Sequence, residues 1–392
     1  MKKKFLLMLV VLVCLSLCVL FVLCGCNKID QTGSDVSNIG SGNNGNTPDN
    51  ENSDESEIKS HRHKFENGVC KICNKKGPSI GLKFQMNEDE NSCYVAGLGS
   101  CEDTDVVIPS EFNGVSVTKI GSGAFQNCKN ITSIDIPVGV TEIKSFAFSG
   151  CIELTSITIP DGVTSIGNSA FKKCESLTKV SIPSGVVNIG HSAFAQCENL
   201  KHVVIPNSVT KLYTPDNNYG VGKLFDGCEK LVYNEYENGL YIGGEENPYL
   251  IFVKAKSTNV TKCTINLNTR FIEAHAFEGC SALTELEIPN GIVSIGDYAF
   301  YDCSGVGELV IPTSVQHMGC GLFTGCTWLQ RLSIPFVGEW ADKSQDDVHY
   351  YYSDKLEHLF KVQNIDFFLD RIPESLKTVT LTGDGTVILG DN

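Results

Sequence analysis

Two histidines and two cysteines lie close enough along the chain to share a metal ion: His61 and His63 precede Cys70-Lys71-Ile72-Cys73. Two imidazoles and two thiolates would suit tetrahedral zinc, and the Cys-x2-Cys half has the spacing of structural zinc sites. The histidines are only two apart and the intervening loop is short. A local disulfide or two unliganded thiols is therefore the competing expectation for an exported chain. Structural zinc is the one cofactor these residues point to; no other is expected. The remaining histidines, His191, His202, His275, His317, His349 and His358, fall in no nucleophile or metal-hydrolase spacing. His191 and His275 occupy equivalent variable places beside an Ala-Phe step and read as surface substitutions. No pairing of the kind catalysis requires emerges, so the chain is expected not to be an enzyme.

The 18 cysteines divide into groups with different chemistry. Cys14, Cys18, Cys24 and Cys26 lie at the amino terminus, where Lys2, Lys3 and Lys4 precede an apolar run from Phe5 to Leu23, the pattern of an export signal. The run is about long enough to span a bilayer, which leaves a permanent anchor as the alternative. Leu23-Cys24-Gly25-Cys26 resembles a lipobox, and that resemblance implies a lipid on Cys26 and attachment at a bacterial cell surface. Cys93 and Cys101 flank Tyr94 to Gly99 in what reads as a capping hairpin, joined by a disulfide or carrying two buried thiols. Cys128, Cys151, Cys174, Cys197, Cys228, Cys280, Cys303 and Cys326 recur at one place in a longer pattern. In-register neighbours there would sit one strand spacing apart, roughly 4.8 Å. Disulfides need Cβ atoms nearer 3.8 Å and facing each other, so these are expected to be buried free thiols.

That longer pattern positions everything else. Phe125, Phe148, Phe171 and Phe194 are each 23 apart, as are Pro137, Pro160, Pro183 and Pro206; the lattice returns at Phe277, Phe300 and Phe323. One unit reads L-x-x-I-x-I-P, a variable pair, then V-x-x-I-G-x-x-A-F-x-x-C. A fixed period of this length predicts a solenoid. Leu154, Ile157 and Ile159 alternate as a strand with one buried side, and Pro160 ends it. Val163 and Ile166 form a second apolar run closed by Gly167, where close backbone approach or an unusual φ is expected. A single coil cannot bury its own apolar sides, whereas stacked coils share one core. A β-sandwich of short strands is the runner-up, but it does not require identical residues at a fixed period.

The L-x-x-I-x-I-P and I-G-x-x-A-F-x-x-C segments resemble the BspA-like bacterial leucine-rich repeat family, over about residues 90–392. The resemblance implies a repeat solenoid of short parallel strands and turns, with an amino-terminal cap and inserted hairpin and loops. It also implies a cell-surface role in attachment or recognition. The expected organisation is a signal at 1–25, a disordered tether at 26–60 and a small His/Cys knob at 61–77. Cap and first strands follow at 78–116, then a solenoid at 117–392, interrupted at about 213–222, 233–270 and 336–375. The tether has almost no apolar side chains with which to offset the entropy of folding.

The formal net charge of -15 argues against nucleic acid as a partner, since phosphate contacts need basic patches. Insertions in a solenoid project to one face, often the binding face. Their aromatic residues, Tyr213, Tyr219, Tyr241, Tyr249, Trp340, Tyr350 and Tyr351, are candidate contacts, although a tyrosine in an enlarged coil can also merely fill volume. Gly239 to Ile242 and Pro248 to Val253 read as a hairpin inside the middle interruption. On the regular coils the outward positions of the first strand, such as Thr155, Thr158 and Lys179, form a small, hydroxyl-rich surface. It suits extended contact with a protein or glycan of a host or neighbouring cell. At the carboxyl end, Leu376 to Leu381 repeats the strand, and Val387-Ile388-Leu389-Gly390 reads as the start of an I-G segment in an incomplete coil. Such a coil would leave an edge open to self-association, the basis of a second functional expectation, a self-associating envelope component.

Overall fold

The computed structural model describes residues 65–66, 69–70, 75–212, 222–336, 359, 372–382 and 385–388. Every described residue lies in one compact unit, Arg62–Asn392. That unit is a solenoid of short strands, largely parallel.

Each regular coil carries two strands. The first is the x-I-x step: Ser133–Asp135, Ser156–Thr158, Lys179–Ser181 and His202–Val204, then Lys262–Thr264, Glu285–Glu287, Glu308–Val310 and Arg331–Ile334. The second, which the sequence pattern showed only as an apolar run, is the pair before the frame position held by Lys144, Gly167, Gly190 or Tyr213: Glu142–Ile143, Ser165–Ile166, Asn188–Ile189 and Lys211–Leu212. Both pair in parallel with the equivalent residues 23 positions away, as in Ile157 with Ile134 and Ile166 with Ile143. Proline separates the two strands and also shapes the turn: its carbonyl accepts the valine N–H three residues on, Val163 to Pro160 at 3.0 Å.

The A-F segment closes the coil as a turn that is itself laddered. Phe146, Phe148 and Gly150 donate their N–H groups to the carbonyls of Asn168, Ala170 and Lys172 in the next coil, at 2.9, 2.8 and 2.7 Å. Two residues per turn sit at positive φ to allow this, Ser169 (53°) and Lys173 (61°) in one coil and Tyr298 (52°) and Asp302 (55°) in another. Gly167, by contrast, is not at positive φ. Its role is closeness: a Cβ there would lie 2.4 Å from the Ser145 nitrogen, and Gly190 and Gly319 face the same constraint.

Inside, the phenylalanines stack. Ring centroids along Phe125, Phe148, Phe171, Phe194 and Phe225 are 5.5, 5.3, 5.3 and 6.0 Å apart, and the rings of Phe252, Phe277, Phe300 and Phe323 follow at 4.6, 5.5 and 5.7 Å. Parallel, offset pairs of this kind add roughly 0.5–1.5 kcal/mol each beyond area burial. The frame cysteines are free thiols, and in the regular coils Cys151, Cys174, Cys197, Cys303 and Cys326 donate to the phenylalanine carbonyl 26 residues earlier, as Cys151 does to Phe125 (3.1 Å) and Cys303 to Phe277 (3.0 Å). Burial pushes the Cys151 and Cys326 thiols up to about 12.

Both ends differ from expectation. The amino-terminal hairpin joins Lys83–Met86 to Ser92–Gly97, so its turn precedes Cys93 instead of lying between Cys93 and Cys101. Those two cysteines are separate buried free thiols, and the Cys93–Cys101 disulfide is not formed. At the other end Gly385–Ile388 does not begin an I-G segment. It turns back and pairs antiparallel with Thr378–Leu381. The outer edge of the first-strand sheet is thus formed by Gly385–Ile388 instead of by Thr378–Leu381.

Phe171→Ala should cost about 3–5 kcal/mol, because the cavity is fixed by rings on both sides; a urea-unfolding loss below about 1 kcal/mol would show that the column does not carry stability. Lys173→Gly should stabilise by up to about 1 kcal/mol, since glycine removes the left-handed strain at an exposed side chain; a loss of stability would contradict the assigned turn.

Candidate functional site

The outward positions of the first strands form columns. Ser156 and Thr158 stand beside Ser133 and Asp135, and Lys179 beside His202, each pair in register on adjacent coils. Thr158, Lys179 and Ser181 are exposed, while the central residue of each strand is buried. Thr155 is committed locally: its hydroxyl donates to the Thr132 carbonyl at 3.1 Å, as Thr284 does to Thr261 at 3.2 Å. In the later coils the columns carry charge that is paired across coils, Lys262 with Glu285 at 3.0 Å and Arg331 Nε with Glu308 at 3.1 Å.

The middle interruption breaks this regularity. Asn234–Tyr236, Gly239–Ile242 and Ile251–Ala255 form an antiparallel meander, which includes the expected hairpin, and the last of them pairs in parallel with Phe271–Ile272. The coil that follows is short. Phe252 pairs with Ile272 and Thr261 lies beside Thr284, yet Phe252 to Thr261 spans nine residues where Ile272 to Thr284 spans twelve. The turn is what has been lost. Phe252 supplies the missing ring from the strand, stacking on Phe277 at 4.6 Å.

Where the turn would have been there is a cavity of about 310 Å³. Its walls are the turn around Phe225 (Lys223, Asp226, Gly227, Cys228, Glu229), the turn around Phe277 (Glu273, His275, Ala276, Glu278, Cys280) and the short coil between them (Val253, Lys254, Ala255, Ser257, Thr258), with Tyr233 at its side. Glu273 stands at the frame position that is glycine in Gly167, Gly190, Gly296 and Gly319. The shortened coil leaves room for its side chain, and its carboxylate accepts the Leu224 N–H at 3.0 Å. Glu278 pairs with His275 at 3.1 Å and with Lys223 across the cavity at 3.5 Å. Burial, with the charges of Cys228 and Glu273 adding to it, raises the Tyr233 phenol to about 12.

The sequence candidates separate accordingly. Tyr241 is fully buried, its ring edge-on to Phe252 and Tyr249 and its hydroxyl accepting the Asn266 N–H at 3.2 Å. It fills the volume that the meander opens and is not a contact residue. Tyr249 is half-buried in the same cluster, 5.7 Å from Tyr236. Tyr213, Tyr219, Trp340, Tyr350, Tyr351, Cys26, His61, His63 and Cys73 lie outside the described residues, and of Cys70 only the backbone is described, in a short hairpin with Phe65. Among the described residues no group of three or more His, Cys, Asp or Glu is placed to hold a metal ion. His275 is no surface substitution, since it is half-buried and its ring stacks on Tyr298 at 5.3 Å. The cavity itself was missed. Its one signal in the sequence is Glu273 in place of glycine, within an interval of 52 residues between Phe225 and Phe277.

The profile of a family described as BspA type leucine rich repeat region matches residues 99–220 and 253–364 in six copies. No curated protein matches the chain in sequence. Among solved structures, a leucine-rich repeat protein of T. pallidum is similar at 24% identity and a TM-score of 0.38, over 65% of this chain and 91% of that one. A leucine-rich cell surface protein of Faecalibacterium prausnitzii matches at 24% identity and a TM-score of 0.32, over 65% and 87%. The pneumococcal vaccine antigen PcpA matches at 18% identity and a TM-score of 0.34, over 78% and 93%.

Burial in the cavity wall disfavours the imidazolium and holds His275 below the ordinary 6.5, with Glu278 opposing the shift. The unfolded chain therefore takes up this proton first, and stability is lost as pH falls through that window. His275→Asn, which tolerates the positive φ, should reduce the difference between urea midpoints at about pH 7.5 and about pH 5.5. An undiminished difference would refute the assignment.

Proposed function

The chain belongs to the BspA type leucine-rich repeat family, and from that premise we propose an exported, lipid-anchored surface protein that recognises a protein or glycan on a host or neighbouring cell. The observation that carries the proposal is the outer face of the first-strand sheet. Its exposed side chains, Thr158, Lys179 and Ser181 among them, stand in register on coils whose backbones are fixed by the ladder. A rigid surface of small hydroxyl and charged groups pays little ordering entropy on contact and distributes affinity over many weak points. No step of this function requires bond-making chemistry.

Supporting the address are the basic start, the apolar run and Cys26 after Gly25. The polar stretch at 26–60 would hold the solenoid away from the membrane at a mean distance of about 30 Å if it behaves as a flexible chain. The aromatic residues of the other two interruptions, Tyr213, Tyr219, Trp340, Tyr350 and Tyr351, are proposed as anchors beside the face, because interfaces concentrate energy on such side chains.

Two measurements test this. Cys26→Ala should abolish incorporation of a metabolic fatty-acid label and release the protein from the membrane fraction; retained label would rule out the anchor. Against any partner found by screening matrix proteins and glycans, Thr158→Arg combined with Lys179→Glu should weaken binding by about tenfold or more, and Trp340→Ala or Tyr219→Ala should also reduce it. Unchanged affinity in all of these variants, at unchanged melting temperature, would place recognition elsewhere.

A further inference from the structure

In regular coils the turn donates three N–H groups, two residues apart, to three carbonyls of the next turn. Phe146, Phe148 and Gly150 do so toward Asn168, Ala170 and Lys172, and His275, Phe277 and Gly279 toward Asp297, Ala299 and Tyr301. The equivalents in the coil before the cavity are Lys223, Phe225 and Gly227. Their N–H groups have no partner among the described residues, because the next coil lacks its turn. On the facing wall the equivalent carbonyls are those of Ala274, Ala276 and Glu278. Only that of Ala276 is used, by the Ala255 N–H at 2.9 Å. The cavity is therefore a gap in the ladder of turns, beside the short coil that reaches the far wall only at Ala255. It is bounded by donors at every second residue on one side and by two open acceptors on the other.

We propose that this gap is a binding site for a peptide segment of a partner protein, which completes the interrupted ladder of turns and places a basic side chain among the carboxylates. The proposal rests on the recognition reading above, but on a different side of the coil from the strand face. The periodicity selects a peptide: a backbone that follows the course of the turn presents carbonyls at every second residue, as Asn168, Ala170 and Lys172 do to Phe146, Phe148 and Gly150, and so meets the donors at Lys223, Phe225 and Gly227. A glycan has no such repeat of acceptor and donor. Unsatisfied backbone groups inside a cleft are costly to leave unpaired, so their pairing supplies binding energy independent of the partner's sequence.

Charge selects among peptides. Asp226, Glu229, Glu273 and Glu278 face the cavity, against Lys223 and Lys254. Lys223 is already paired with Glu278, and Lys254 lies over the Tyr233 ring at 5.3 Å. The wall thus keeps a surplus of negative charge for a lysine or arginine of the occupant. Approach is from solvent, past the exposed Ser257 and Thr258.

The test uses the full chain and two pools of random-sequence hexapeptides, one containing lysine and arginine, the other aspartate and glutamate. Binding is read by fluorescence polarisation and by amide hydrogen exchange. The basic pool should bind at least about tenfold more tightly than the acidic pool, and should slow exchange at Lys223, Phe225 and Gly227 by about tenfold or more. Ser257→Trp, which blocks the entrance without touching the core, should remove binding at unchanged melting temperature. Glu278→Lys gives an independent check, since it should erase the preference for the basic pool. Retention of neither pool, binding indifferent to both substitutions, or unchanged exchange at the three amides would overturn the inference. So would a glycan that protects those amides. Lys179→Glu, on the strand face, should leave peptide binding unaltered. If it weakens a screened partner while the cavity variants change nothing, the cavity inference falls and the strand-face function stands.

Discussion

A coil of this chain is incomplete on two counts, and the same neighbour completes both. Its apolar side chains face along the stack as well as inward, and its strands and turn present N–H and carbonyl groups that only another coil can pair. The hydrogen-bonded ladder and the shared core are thus one constraint: coils must be superimposable, residue upon residue. The glycine that lets Gly167 approach the Ser145 backbone, the paired left-handed residues of each turn and the thiol that donates to the preceding phenylalanine all serve that superposition.

The constraint also explains the form that irregularity takes. Removing the first strand of one coil would expose the edges of its neighbours, and the chain responds by returning through the meander, where the Gly243 carbonyl accepts the Ile205 N–H at 3.2 Å. Tyr241 and Phe252 fill the interior that the lost strand and turn would have occupied. Only the turn side is left without a substitute, and there the backbone groups of two coils face each other across a cavity. A repeat protein can hold a site of this kind because its rigid neighbours on both sides keep the gap open.

Much of the fold was legible because periodicity is a property of the chain itself. The strand at Ile157, its termination at Pro160 and the stacking of Phe125, Phe148 and Phe171 follow from identical residues at a fixed interval. Less visible were features that no single residue type marks. The left-handed places are held by glycine in some coils but by serine, lysine, tyrosine or histidine in others, because the ladder enforces a conformation that the side chain does not prefer. The second strand is only two residues long, too short for alternation to declare itself. Tyr241 reads as an exposed aromatic of an insertion, and its burial depends on where three strands of the meander pack.

From its sequence alone, this protein was bound to be a stack of like coils sharing one apolar interior, since a coil of that composition cannot be stable by itself. It equally announced an acidic chain, with a formal net charge of -15. What only the tertiary structure decided was the consequence of a coil three residues short: which walls face each other, which backbone groups lose their partners, and that the Glu273 carboxylate meets the Leu224 N–H across the cavity. Those facts depend on the relation between coils, and a linear string records the missing residues without recording the space they leave.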